Sequence, residues 1–131
     1  MNWKRILLFI GLTFVATLIA GFVPGLIRGF YNASGSAPPS WIVLLQGGLV
    51  PLAIFLVFVR LGRVQREQPW QHAALVWLGA VVLSFLNFLF GQPLSQFLIG
   101  IAISAIMAAA GMGFGLWRQP KPDRSTSEPA A

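Results

Sequence analysis

The chain has 131 residues, of which 56% are hydrophobic and only 9% are charged, whereas an ordinary soluble domain is about 25% charged. Its mean hydropathy of +0.77 excludes a water-soluble globule, because a core of this size cannot hide so much apolar surface. The sequence contains no cysteine, which excludes disulfides, thiolate nucleophiles and cysteine-held metal clusters.

Four apolar runs follow one another along the chain, and each can cross a hydrocarbon layer of about 30 Å as a helix. They cover residues 6–27, 41–59, 73–90 and 94–117, and none contains Asp, Glu, Lys or Arg. Because their apolar character is continuous, we predict an all-α integral membrane protein, a bundle of four transmembrane helices spanning residues 1–118. We expect the polar, proline-rich residues 119–131 to form a disordered cytoplasmic tail.

Basic residues flank these runs and predict the orientation of the bundle. Eight of them lie on the side that holds both termini and the middle loop, whereas Arg28 stands alone on the other side. The positive-inside rule then places both termini in the cytoplasm, and the compact loops suggest the inner membrane of a bacterial cell. This clustering beside the spans also argues against nucleic-acid binding.

The arginines of the middle loop, Arg60, Arg63 and Arg66, are candidates for contact with the headgroups of anionic membrane lipids. The alternative interpretation is that these three arginines only set the topology.

The first two runs each contain a proline. In the first, Gly21, Gly25 and Gly29 repeat at four-residue spacing around Pro24, and in the second Pro51 lies near the middle. A proline inside a helix removes one backbone hydrogen bond, so we expect a kink at Pro51. Such a kink serves transport in some carriers and is ordinary packing in many other membrane helices.

The fourth run carries small side chains along one face. At 100° per residue, these positions fall within a narrow arc: Gly100, Ser104, Ala108, Gly111 and Gly115. Small residues let membrane helices approach closely, so this face is predicted to pack against the other helices of the chain, against a second copy or against a partner. The link Gly91–Pro93 predicts a tight hairpin between the third and fourth helices.

Four amide side chains lie in the outer third of the predicted bundle: Gln46, Asn87, Gln92 and Gln96. One interpretation is that they form a shallow polar vestibule. The alternative is that they only form hydrogen bonds between helices or contact water at the membrane interface. His72, the one histidine, is expected to be solvated at the cytoplasmic start of the third span. The alternative is a haem ligand, but haem held between membrane helices needs two axial ligands, which a lone histidine supplies only across a symmetric dimer.

No acid, base or nucleophile of the sequence forms a recognisable catalytic set, and no cofactor or metal is indicated. The sequence therefore favours a non-enzymatic accessory, assembly or regulatory subunit that acts through helix packing, with membrane lipid and a membrane protein or a second copy as partners. The alternative is a homo-oligomeric transporter or channel for a neutral or amphipathic solute. A proton-coupled pump is disfavoured, because such a pump normally needs an ionisable residue inside the membrane.

Overall fold

The computed structural model describes residues 2–121, with the exception of the side chain of Asn87. This part of the chain contains the helices α1 (Trp3–Ala33), α2 (Ser40–Val64), α3 (Pro69–Leu89) and α4 (Leu94–Trp117). The prediction of an all-helical structure is confirmed, and each helix is long and apolar enough to cross a membrane. Most of the predicted tail, residues 122–131, lies outside the described residues.

The ends of the helices follow from local chemistry. The side chain of Asn2 caps α1 by accepting the N–H of Arg5 at 3.2 Å, which satisfies one of the donors that every helix start leaves free. The chain leaves α1 through Gly35, whose φ of +71° suits glycine. Pro69 opens α3, where a missing N–H costs nothing.

Helices α1 and α2 extend further than the apolar runs that predicted them. Helix α1 begins three residues before Ile6 and continues to Ala33, and α2 continues past Val59 to Val64. A helix of 31 residues is about 46 Å long at 1.5 Å per residue, which exceeds a hydrocarbon layer of about 30 Å. The ends of α1 therefore reach beyond the hydrocarbon of any bilayer it crosses upright.

The helices surround a core that lies towards one end of the bundle. Helix α2 packs most extensively on α4 and next on α1, while α3 packs on α1 and α4 and touches α2 only slightly. The side chains buried at the centre come from all four helices: Ile6, Phe58, Leu61, Val76 and Met112. Each helix thus contributes an apolar face to one shared core.

The two ends of the described chain lie at the same end of the bundle. Arg5 near the start of α1 and Gln119 just after α4 both bond to the segment that ends α2. We call this the basic end, because its described residues include seven Lys and Arg but only one acidic residue, Glu67: Lys4, Arg5, Arg60, Arg63, Arg66, Arg118 and Lys121. Arg28 belongs to the opposite end, beside Gln46 of α2.

Most large apolar side chains remain exposed after the four helices have packed. In water such a surface would drive aggregation, whereas in a bilayer it faces lipid of similar polarity. The exposed set includes four tryptophans at or next to helix ends, where indole rings settle at the level of the headgroups: Trp3, Trp41, Trp70 and Trp117. The structure is consistent with a multi-pass membrane protein.

Candidate functional site

Helices α2 and α4 form the most extensive helix pair in the structure, and their contact depends on glycine. A Cβ added at Gly111 would overlap the carbonyl oxygen of Phe55, and a Cβ at Gly115 would lie 2.9 Å from the Cα of Gly62. In the other direction, a Cβ at Gly62 would lie 2.7 Å from the carbonyl oxygen of Met112. The two backbones are therefore in direct contact over these turns, and a residue larger than glycine at these positions would prevent that contact.

The structure divides the predicted small-residue face of α4 between different neighbours. Ala108, Gly111 and Gly115 are buried, the two glycines against α2. The hydroxyl of Ser104 accepts a hydrogen bond at 3.0 Å from the indole N–H of Trp77 on α3. Gly100 is exposed, and a Cβ there would meet nothing within 4 Å. Of the five positions, Gly100 is thus the one that another chain can still contact.

The described amides of the predicted vestibule do not bond to one another. Gln46 is half-buried on α2 and accepts a hydrogen bond at 3.3 Å from Arg28 of α1. Gln92 lies half-buried in the link before α4, and Gln96 is exposed in the first turn of α4. The backbone of Asn87 lies in the last turn of α3. Gln46 is therefore the one described amide of this set bonded to another helix.

Helix α2 runs through Pro51 without a break. Because proline has no N–H, the carbonyl oxygen of Gly47, four residues earlier, loses its helical donor. Gly47 and Gly48 are exposed, and a Cβ at either would meet nothing within 4 Å. This turn of α2 therefore presents bare backbone with a free acceptor.

The three arginines of the middle loop are exposed, Arg60 and Arg63 in the last turns of α2 and Arg66 in the link to α3. The same end of the structure holds a polar cluster, Arg5, Gln65 and Gln119, which the sequence did not reveal. Arg5 donates from Nη1 to Oε1 of Gln65 at 2.9 Å, and Gln65 is only 4% exposed.

Gln119 ties the end of α4 to the end of α2. Its Nε2 donates to the carbonyl oxygens of Gly62 at 2.6 Å and Gln65 at 2.9 Å. Gly62 lies in the last turn of α2 and Gln65 directly follows the helix, and carbonyls at a helix end have no helical partner. The polar cluster thus connects α1, α2 and the chain after α4 at the basic end.

The expectation that His72 is solvated is wrong, because this side chain is 1% exposed. Its Nδ1 lies 3.1 Å from the carbonyl oxygen of Gln68, and since a carbonyl only accepts, Nδ1 is the donor of this hydrogen bond. Nε2 is buried and has no hydrogen-bond partner in the structure. The cause of the burial is the position of His72 in the first turn of α3, on the face it shares with the buried Ala73 and Val76.

Residues 2–121 contain no group of three His, Cys, Asp or Glu side chains that could hold a metal ion. His72 is the one histidine of the chain, and its Nε2 is covered by protein on all sides. No protein-family model, curated protein or solved structure matches the chain.

Proposed function

We propose that this protein is a non-enzymatic subunit of a larger membrane complex, in which it serves assembly, accessory or regulatory functions through helix contact. In this proposal it spans the inner membrane of a bacterial cell with both termini in the cytoplasm. The support for that orientation is the excess of Lys and Arg at the basic end, where the positive-inside rule expects them. We also infer that α3 and α4 form a close hairpin, since Phe88 and Phe97 approach each other to 5.3 Å between ring centroids.

The observation that carries the proposal is an open groove along the second half of α1, which we call the α1 groove. Its floor is formed by Gly21, Gly25 and Gly29, and the exposed rings of Phe22 and Phe30 flank it. The groove has a volume of about 550 Å³. All of its lining residues belong to α1, so the groove is an open face of one helix.

Within this chain the α1 groove is left open. A Cβ at Gly25 or Gly29 would meet nothing within 4 Å, and one at Gly21 would reach only a methyl group of Val50 at 3.8 Å. The glycines that α2 and α4 need for their own contact are, in contrast, filled by that contact. A helix of another protein can therefore approach the backbone of α1 as closely as α2 approaches α4, and this close approach drives helix association in lipid.

The test is purification of the tagged chain from its native membrane, with the partner quantified relative to the protein. Gly25→Leu fills the α1 groove and is expected to remove the partner. The matched control is Gly11→Leu, because Gly11 is exposed on α1 and, like Gly25, has no atom within 4 Å of an added Cβ. Loss of the partner in both variants, or in neither, would contradict the assignment of the partner to this groove.

A homo-oligomeric transporter or channel for a neutral or amphipathic solute is the second candidate. Its support is the turn before Pro51, where the free carbonyl of Gly47 and the amide of Gln46 offer polar contacts inside a span. Solute flux into proteoliposomes tests it with the double variant Gln46→Leu and Asn87→Leu. Abolished flux favours the vestibule, and unchanged flux with equal or better stability removes it.

A further inference from the structure

A second groove, which we call the α3–α4 groove, lies between α3 and α4. Its floor is Phe58 of α2, its α3 wall carries the indoles of Trp70 and Trp77, and its α4 wall carries Ala105 and Ala109. The volume is about 170 Å³. A groove of this size holds part of one slender apolar chain.

The lining of the α3–α4 groove is mostly hydrocarbon. The one polar atom of Trp77, its indole N–H, is already bonded to Ser104, so the indole presents only its apolar surface. Ala109 is exposed, and the groove therefore opens sideways to the surroundings of the bundle. Its two walls belong to segments apolar enough to cross a membrane, Pro69–Leu86 and Leu94–Trp117. A groove in this position meets lipid chains and not water.

The basic side chains near the groove indicate which class of lipid headgroup binds there. Trp70, 53% exposed, lies in the first turn of α3, so the groove reaches the basic end. Arg66 is exposed four residues before Trp70. The described residues at this end include seven basic side chains and one acidic side chain, an arrangement that attracts negative headgroups.

We propose that the α3–α4 groove binds one acyl chain of an anionic phospholipid, whose headgroup lies beside Arg66 at the basic end. The flat indoles hold the chain against the alanines of α4, and Phe58 closes the inner side. This site does not depend on the proposed partner helix, since that helix is assigned to the α1 groove.

The experiment uses the full chain in proteoliposomes, with Trp3, Trp41 and Trp117 replaced by Phe so that Trp70 and Trp77 report alone. The vesicles contain phosphatidylglycerol and phosphatidylcholine in fixed proportion, and brominated acyl chains, which quench indole fluorescence, are placed on one lipid or the other. The expected result is a preference of about five-fold for the brominated anionic lipid, the effect of one basic residue near a charged headgroup. Equal quenching by both lipids would overturn the proposal.

Two pairs of variants locate the site. Ala109→Leu fills the groove and is expected to abolish the preference, whereas Ala110→Leu, at an exposed position outside the lining, is expected to leave it intact. Arg66→Gln is expected to reduce the preference, and Arg28→Gln at the opposite end is its control. The same preference in Ala109→Leu as in Ala110→Leu would mean ordinary surrounding lipid and would refute the site.

Two further outcomes are assigned in advance. If circular dichroism shows that Ala109→Leu loses helical structure, Ala74→Leu on the opposite wall takes its place, because Ala74 is exposed and also lines the groove. If neither brominated lipid quenches Trp70 and Trp77, a protein surface covers the groove and the proposal is wrong.

Discussion

Replacing Gly111 by alanine tests the α2–α4 contact directly. The added methyl group would overlap the carbonyl oxygen of Phe55 and lie 3.1 Å from the Cβ of Phe58. Backbone cannot rotate away as a side chain does, so α2 and α4 must separate. Forcing an extra carbon into a filled contact costs about 1–3 kcal/mol. The higher helix propensity of alanine offsets up to about 1 kcal/mol of this cost.

Gly113 provides the matched control on the same helix, because a Cβ there would meet nothing within 4 Å. Gly113→Ala keeps the propensity gain of up to about 1 kcal/mol and adds no overlap. The two variants should therefore differ by about 1–3 kcal/mol in free energy of unfolding, the cost of the overlap alone. Unfolding by SDS in mixed micelles, followed by circular dichroism, measures this difference. Gly111→Ala at least as stable as Gly113→Ala would refute the close contact.

Three further substitutions test the polar contacts. Gln119→Ala removes both hydrogen bonds to the end of α2 and should lower the free energy of unfolding by about 1–2 kcal/mol, whereas the exposed Gln71→Ala should change little. Ser104→Ala leaves the Trp77 indole without its acceptor and should cost about 1 kcal/mol, while Ser84→Ala, whose hydroxyl bonds only within its own helix, is the control. His72→Leu removes a buried nitrogen that has no partner, so stability should stay within about 1 kcal/mol of the parent or rise. A much larger loss would mean that Nε2 has a partner in the membrane. Thermal unfolding in detergent is a second readout for all three.

The four helices could be predicted from sequence because charge-free stretches of this length have few alternatives to a membrane helix. The residues at which the helices begin and end were harder to predict. The apolar run stops at Val59, but α2 continues to Val64. Hydropathy predicts where a chain leaves the membrane, whereas the last residue of a helix depends on where its backbone leaves the helical conformation. The predicted span and the helix share their first residue at Leu94, where Pro93 comes before the helix, and their last residue at Trp117.

Periodicity correctly grouped the small residues of α4 on one face, but it could not say which helix each of them meets. Two helices that cross at an angle touch over a few turns only, so Gly111 and Gly115 contact α2 while Ser104 bonds to α3 and Gly100 stays open. This division depends on the angles at which the helices cross, and the residue pattern of a single helix carries no information about those angles.

The polar cluster at the basic end lay beyond sequence reasoning for a different reason. Gln65 and Gln119 are 54 residues apart, and both lie in polar stretches where glutamine is unremarkable. The burial of His72 was missed because the residue directly follows a polar stretch that ends at Gln71, and the sequence does not show how the start of α3 packs on the other helices. Only the packing of the helix ends brings these groups together.

The central claim is that this chain works as a subunit whose α1 groove holds the helix of another protein. Native mass spectrometry of the protein, extracted from its own membrane in mild detergent, tests that claim most directly. We predict a complex with a different polypeptide in fixed stoichiometry. A discrete homo-oligomer without any other polypeptide would contradict the claim and make transport the leading candidate.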